Sequence, residues 1–313
     1  MSIIDFTTNT NILSVPAGSV LVLGYFDGVH IGHTSLIEEA LRLSKEHDNA
    51  PVCIWTFESL PKVTARLITT KDEKCALLKA HGSSYIIFES FDALRGLDGE
   101  EFFSGHIVKN YSPAAVVCGF NFRFGKNAAW TAADLCHFAN QNGVECSVVH
   151  EKTVDGKTIS STEIRRLIEI GQVDCANKLL GRAYEITAEI EHGVQIGRKM
   201  GVRTINQHIP EGKVVPGNGV YCCTVTFDVS GENVTYGGIC NIGSRPTVND
   251  NVEDVTVETH IFDFDRDIYG SSVTTRLYKK LRDERKFDSI DTLRQQIESD
   301  VKTAKLLLKE ILK

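Results

Sequence analysis

SVLVLGYFDGVHIGHTSLIEEALRLSKEH, residues 19–47, carries two periodicities joined by a glycine-containing turn. Residues 19–26 form a short apolar run, the pattern of a strand buried on both faces. From Ser35 onward, Leu36, Ile37, Ala40 and Leu41 fall on one helical face. Between them stand Gly28, His30, Gly32 and His33. Glycines let a backbone approach a ligand closely. The start of the following helix offers amide N–H groups and a partial positive charge, which suit a phosphate. Two imidazoles there add donors that stabilise negative charge building up at a reacting phosphate. Two unrelated surface histidines, or an H-x-x-H metal pair, are the competing readings. The strand–glycine–helix context favours phosphate, because no third metal ligand stands nearby in the sequence.

Working outward, the same alternation continues to about residue 150. PVCIWTF (51–57), SYIIF (84–88), AAVVCGF (114–120) and VECSVVH (144–150) read as strands. DEKCALLKAHG (72–82), EEFFSGHIVKNY (100–111) and AADLCHFANQNG (132–143) read as helices. Apolar strands alternating with helices predict a parallel sheet covered on both faces. Ligands bind beyond the carboxyl ends of such strands, which is where residues 25–33 lie. ISSTEIRRLIEIGQVDCANKLLG (159–181) reads as two short bridging helices.

Near residue 184 the texture changes. ITAEIEHGV, GVYCCTVTFDV, NVTYGGICNIG, VTVETHIFDF and SSVTTRLYKKL are rich in Val, Thr and Ile and are separated by turn residues. They predict an antiparallel barrel or sandwich. In the tail, Leu293, Ile297, Val301, Ala304, Leu308 and Ile311 recur at helical spacing, predicting a helix packed on that barrel.

The bulk numbers bound the function. The 313 residues suffice for about two domains. With 42% hydrophobic and 24% charged residues a folded globular protein is expected. A net charge of −7 argues against a nucleic-acid or membrane-surface binder. No run reaches the ~18 apolar residues of a membrane span, and the N-terminus lacks the pattern of a signal peptide. Nine cysteines occur without a C-x-x-C. Cys53, Cys118, Cys146, Cys222, Cys223 and Cys240 lie in strand-like runs and read as buried thiols, which fits a reducing cytoplasm. The sequence carries no signal of oligomeric state.

GYFDGVHIGHTSLI resembles the nucleotidyltransferase motif of the prokaryotic bifunctional riboflavin kinase/FAD synthetase (FMN adenylyltransferase) family. CGFNFRFGKNAA (118–129), ISSTEIRRLIEIGQVDCANKLLGRAYEI (159–186), NGVYCCTV, CNIGSRPTV, VETHIFDFDRDIYG and LRDERKF resemble later motifs of that family in the same order. The resemblance implies a Rossmann-like α/β nucleotidyltransferase domain over residues 1–183. It implies an antiparallel β-barrel riboflavin kinase-like domain with a C-terminal helix over 184–313. The first would join FMN to the AMP part of ATP, releasing pyrophosphate; the second would phosphorylate riboflavin with ATP; both would use Mg²⁺.

By the same resemblance, His30 and His33 would contact ATP phosphates within the loop that includes Gly24, Phe26, Asp27, Gly28 and Gly32. Asn121 would hold the reacting phosphates, and Ser160, Ser161, Thr162 and Arg165 would bind the triphosphate. Taken singly, residues 160–162 read equally as a helix cap. Glu258 resembles the kinase base; alternation groups it with Thr256 and His260, opposite Val255, Val257 and Ile261. Alone it would read as a solvent-facing glutamate. In GRKMGVRTINQ (197–207), Gly197 and Arg198 would contact ATP, and Thr204 and Asn206 would supply oxygens to Mg²⁺. Arg282 and Phe287 would flank the flavin.

Some positions depart from the family pattern. Ser59 and Leu60 stand where a histidine is usual, Trp130 where a glycine is, and Val202 and Arg203 where an aromatic residue and a proline are. These changes, with Gln207, motivate a second reading: an FMN adenylyltransferase whose barrel binds flavin but phosphorylates weakly. A non-catalytic flavin carrier or regulator is a third. A cytidylyl- or pantetheine-type nucleotidyltransferase is a further alternative, disfavoured because the barrel motifs point to flavin.

Overall fold

The computed structural model describes residues 2–5, 15–57, 66–191, 204–245, 254–266, 268 and 270–312. The chain divides into two compact units. The first comprises residues 1–65 and 69–161, the second 66–68 and 162–313.

Among the described residues of the first unit six strands form one sheet: β1 (Ser2–Asp5), β2 (Val20–Leu23), β3 (Val52–Phe57), β4 (Tyr85–Glu89), β5 (Ala115–Gly119) and β6 (Glu145–Val149). Their order is β1-β4-β3-β2-β5-β6, and every pairing is parallel. The longer helices are α1 (Ile31–Glu46), α2 (Lys71–Ala80), α3 (residues 101–111) and α4 (Ala132–Gln141), with a single turn at Phe91–Leu94. One side of the sheet buries Val20, Val22, Ile54, Ile86 and Val117 with Ile37, Ala40 and Leu43 of α1. The other buries Leu21, Trp55, Ile87 and Val116 with Phe103, Ile107 and Leu135. Two buried faces explain why β2 reads as an unbroken apolar run.

Strand order reverses at β2. The chain moves one way through β3 and β4, then returns to the other side of β2 as β5 and β6. The loops leaving β2 and β5 therefore diverge at a topological switch point, where sheets of this kind form a crevice.

Three features differ from the sequence expectation. β1 is an added edge strand. Residues Glu101–Val108 of α3 are π-helical, a wider turn that brings Phe102 and Ile107, both buried, onto one face. Cys146 is not a buried thiol; it is bonded to Cys136 of α4, with Cα atoms 5.2 Å apart. The other five read as buried are so. Burial pushes the thiols of Cys53 up to about 11 and of Cys118 and Cys222 up to about 12, and raises Cys223 as well, so these stay protonated and inert.

The second unit contains α5 (Ser161–Glu169, whose first residue lies at the division), α6 (Val173–Leu180), six strands and a terminal helix. The strands are β7 (Tyr184–Glu189), β8 (Ile205–His208), β9 (Gly219–Val229), β10 (Glu232–Arg245), β11 (Asp254–Ile261) and β12 (Ser272–Arg282). They run antiparallel in the order β7-β12-β9-β10-β11-β8. The Glu191 N–H, just beyond β7, donates to the Asn206 carbonyl of β8 (2.9 Å), an isolated bridge that brings the two edges of the curled barrel sheet together.

Inside the barrel Gln207 is fully buried. Its amide donates to the carbonyls of Val273 (3.0 Å) and Ala188 (3.3 Å), and its oxygen accepts from the Thr275 hydroxyl (2.6 Å). Gln207 is thus a satisfied polar plug spanning three strands. Gln207→Ala is expected to cost about 2–3 kcal/mol by stranding these groups, read as a lower denaturation midpoint with riboflavin and ATP affinities unchanged.

The terminal helix α7 (Ile290–Ile311) starts with a capping box between Ser289 and Thr292. Ala304 and Leu308 are buried against Val220, Cys222, Ile239 and Phe262, with Ile297 and Val301 beside them. Ile311, expected on the packed face, is 44% exposed because it lies beyond the barrel contact.

Candidate active sites

The first site is built by the turn between β2 and α1. Gly24 ends the strand and donates its N–H to the Trp55 carbonyl (3.2 Å). Phe26 and Val29 then adopt φ of +56° and +39°, and Gly28 a φ of +83°. Two non-glycine residues in left-handed conformations mark a backbone bent under constraint, as occurs at ligand clamps. The constraint comes from buried contacts. The Asp27 carboxylate accepts from the Thr69 N–H (3.4 Å), Gly28 N–H donates to the Thr69 hydroxyl (3.2 Å), and the Phe26 ring sits in the core.

His30 is the N-cap of α1. Its Nδ1 accepts from the His33 N–H (3.2 Å), and its ring stacks on that of His33 with centroids 3.6 Å apart. An accepting Nδ1 makes Nε2 the donor nitrogen of the neutral ring. His30 is only 6% exposed, which excludes the reading of two surface histidines. Gly32 explains the spacing: a Cβ there would lie 3.2 Å from the His30 ring. Gly32→Ala is therefore expected to raise helix stability by up to about 1 kcal/mol yet lower FAD formation by roughly tenfold through displacement of the stacked ring. Thermal unfolding and a flavin assay on the same preparation check both halves.

Around these rings lies a cleft of about 190 Å³. His30, Gly32 and His33 meet Gly119 and Asn121 from the end of β5 and Ser160 and Ser161 from the start of α5. The Ser161 hydroxyl donates to the Asp27 carbonyl (2.9 Å), tying this wall to the turn that carries His30. Gly24, Phe26, Asp27 and Gly28 do not line the cleft; they shape the turn that holds His30. Thr162 and Arg165 follow along α5 and do not line the cleft. The sequence reading missed Phe120, Val149, His150, Glu151 and Lys152, which complete the walls. Their signal was position alone, at the carboxyl ends of β5 and β6. Trp130, in the place expected of a glycine, packs close to Gly125 and Gly99 beside Phe124.

The second site is a pocket of about 350 Å³ on the barrel. Val220, Ile239, Phe287, Leu293 and Ile297 give it apolar walls; Thr204, Asn241, Glu258, His260, Arg282, Glu284, Arg285 and Asp300 add polar groups. Register places Glu258 directly opposite Asn206 on one neighbouring strand and Asn241 on the other. Cross-strand partners share a face, so a carboxylate stands between two amides. Asn241 donates to Glu284 (2.9 Å), and Arg282 is fixed by Asp300 (2.9 Å). The N-terminal half of α7 forms one wall, a role its helical periodicity did not announce. Gly197, Arg198, Val202, Arg203, Ser59 and Leu60 lie outside the described residues.

Thr204 and Asn206 suit a hard cation. Hydroxyl, amide and the nearby Glu258 carboxylate are all oxygen donors, and Mg²⁺ completes such partial shells with water and substrate phosphate. Among the described residues no group of three or more His, Cys, Asp or Glu gathers into a metal cluster.

The chain thus carries a cleft with imidazole, amide and hydroxyl groups at a parallel-sheet switch point, and an apolar-walled barrel pocket with a carboxylate. Residues 13–163 match the family model for FAD synthetase, and residues 180–308 that for riboflavin kinase. The chain is 33% identical to the bifunctional riboflavin kinase/FMN adenylyltransferase of Bacillus subtilis (strain 168), covering 92% of each chain. It is equally 33% identical to that of Escherichia coli (strain K12), again over 92% of each. A crystal structure described as a macrolide-efflux protein from Streptococcus pneumoniae superposes with a TM-score of 0.85 at 31% identity, over 97% of this chain and 98% of that one. The chain belongs to the bifunctional riboflavin kinase/FMN adenylyltransferase family. Among the described residues no helix is long and apolar enough to cross a membrane.

Proposed function

We propose that the chain converts riboflavin to FMN and then FMN to FAD, using ATP in both steps. The observation that carries this reading is the pairing of both family matches with a chemically suitable cavity in each unit. In the barrel, the ribityl hydroxyl oxygen attacks the γ-phosphorus of ATP, ADP leaves, and Glu258 accepts the hydroxyl proton. In the first unit, a phosphate oxygen of FMN attacks the α-phosphorus of ATP. The bond to the bridging oxygen breaks and pyrophosphate departs. His30 and His33 neutralise the charge that accumulates, with Asn121, Ser160, Ser161, Thr162 and Arg165 holding the polyphosphate. Mg²⁺ supplies charge neutralisation on the phosphates when bound, held in the barrel by Thr204 and Asn206. Arg282, locked by Asp300, borders the flavin. The working boundary between the modules is 183/184, and the working compartment is the cytoplasm.

The weak-kinase reading loses one of its supports, since Gln207 faces the barrel interior and not the pocket. The test supplies riboflavin or FMN with Mg-ATP and resolves the flavins by chromatography. FMN followed by FAD from riboflavin is expected. FAD from FMN alone would establish the monofunctional reading, and flavin binding without product the carrier.

A further inference from the structure

We infer that Cys136 and Cys146 form a reversible thiol–disulfide switch on the nucleotide cleft of the first unit. The pair joins α4 to β6, and both residues are half-buried, so a small thiol reaches them. Six of the remaining cysteines are buried, and only Cys175 is exposed. In a reducing compartment an accessible disulfide is the redox-sensing kind.

The position of the bond gives it leverage. Among the described residues β6 is the last strand of the sheet, paired only with β5 along one edge. Its anchoring alternates residue by residue. Glu145 pairs with His47 of the α1 C-cap (2.9 Å), Cys146 bonds to α4, and the Ser147 hydroxyl donates to Glu39 of α1 (2.8 Å). The strand then runs directly into Val149, His150, Glu151 and Lys152, all of which line the cleft. The Val149 carbonyl also accepts from the Phe120 N–H (3.0 Å), tying the turn that presents Asn121 to the same strand. Opening the bond removes the covalent tie to α4 and loosens the wall and the Asn121 turn together.

The chemistry balances with an oxidised low-molecular-mass thiol such as glutathione disulfide. One cysteine thiolate attacks its disulfide sulfur and releases one thiol. The second cysteine attacks the mixed disulfide and releases the other. The protein pair loses two electrons and two protons, and the co-reactant gains them. Reduction is the reverse.

The effect on catalysis rests on the adenylyltransferase reading; the switch itself is measured separately. The full chain is equilibrated in glutathione buffers from reduced to oxidised, then alkylated in the native state and weighed intact. Cys175 is expected to react throughout, and Cys136 and Cys146 only after reduction. Hydrogen exchange across residues 145–152 should quicken on reduction. The KM for ATP in FAD formation should rise roughly fivefold, with riboflavin phosphorylation unchanged. Cys136→Ser and Cys146→Ser should each hold the reduced value in every buffer. Alkylation of both cysteines in the oxidising buffers, or identical exchange in the two states, overturns the switch. Equal KM for ATP in the two states overturns its control of the cleft. Absence of FAD in both states would instead sink the functional reading, while alkylation and exchange still decide the switch.

Discussion

His30→Asn is expected to lower the rate of FAD formation by roughly 10²–10³-fold while leaving riboflavin phosphorylation at its original rate. Asparagine is chosen because it ranks with the best helix N-caps. It can still accept from the His33 N–H, the bond that His30 Nδ1 makes now. What it removes is the imidazole that lines the cleft and stacks on His33. A structural role for His30 would therefore be largely rescued, and a phosphate role would not. FMN and Mg-ATP are supplied, and the appearance of FAD is followed alongside FMN production from riboflavin on the same preparation. FAD formation within about threefold of the parent would mean the ring does not stabilise the reacting phosphate. The fold should tolerate the change, since the buried bonds of Asp27 and Gly28 to Thr69 hold the turn independently.

The parts legible in the sequence share a physical cause. A strand buried on both faces must be apolar throughout, so β2, β3, β4 and β5 announced themselves. A helix covering the sheet must show an apolar stripe, as α1 does at Leu36, Ile37 and Ala40; Leu41, expected on the same face, is only partly buried, and Leu43 fills the core beside them. One side of the candidate cleft, at His30, Gly32 and His33, drew notice in the sequence, because glycine and histidine near a strand end are uncommon enough to carry meaning. The other side did not. Val149 to Lys152 have no composition of their own and acquire a role only when the sheet order brings β6 next to β5. Gly24, Phe26 and Asp27 belong to the recognisable motif but act through the backbone they bend. The same limit applied in the barrel. β8 is four residues long and too short to show a period. Gln207 was among the changes that motivated a weak kinase, and it is a fully buried, hydrogen-bonded core residue. Tertiary context decided both, as it decided that Cys146 pairs with Cys136.

Glu258→Gln is expected to reduce riboflavin phosphorylation by about 10²–10⁴-fold and to leave FAD formation from supplied FMN intact. The substitution keeps size and one carbonyl oxygen, so the cross-strand row of Asn206, residue 258 and Asn241 can persist. It removes the capacity to accept a proton. A loss confined to kcat for riboflavin, with KM little changed, would identify an interaction made only in the transition state. A rise in KM alone would instead assign Glu258 to ground-state binding. Glu284 is the decisive control, because it lines the same pocket and is hydrogen-bonded to Asn241. If Glu284→Gln produces the larger kcat loss, the base is Glu284, and Glu258 serves to orient its neighbours. If Glu258→Gln also halts FAD formation in a folded protein, the two chemistries do not reside in separate units. The pocket geometry argues for Glu258 as the base. Glu258 sits centrally on the barrel strand between two amides, where a proton acceptor can be held still, whereas Glu284 follows β12 in the loop that leads to α7.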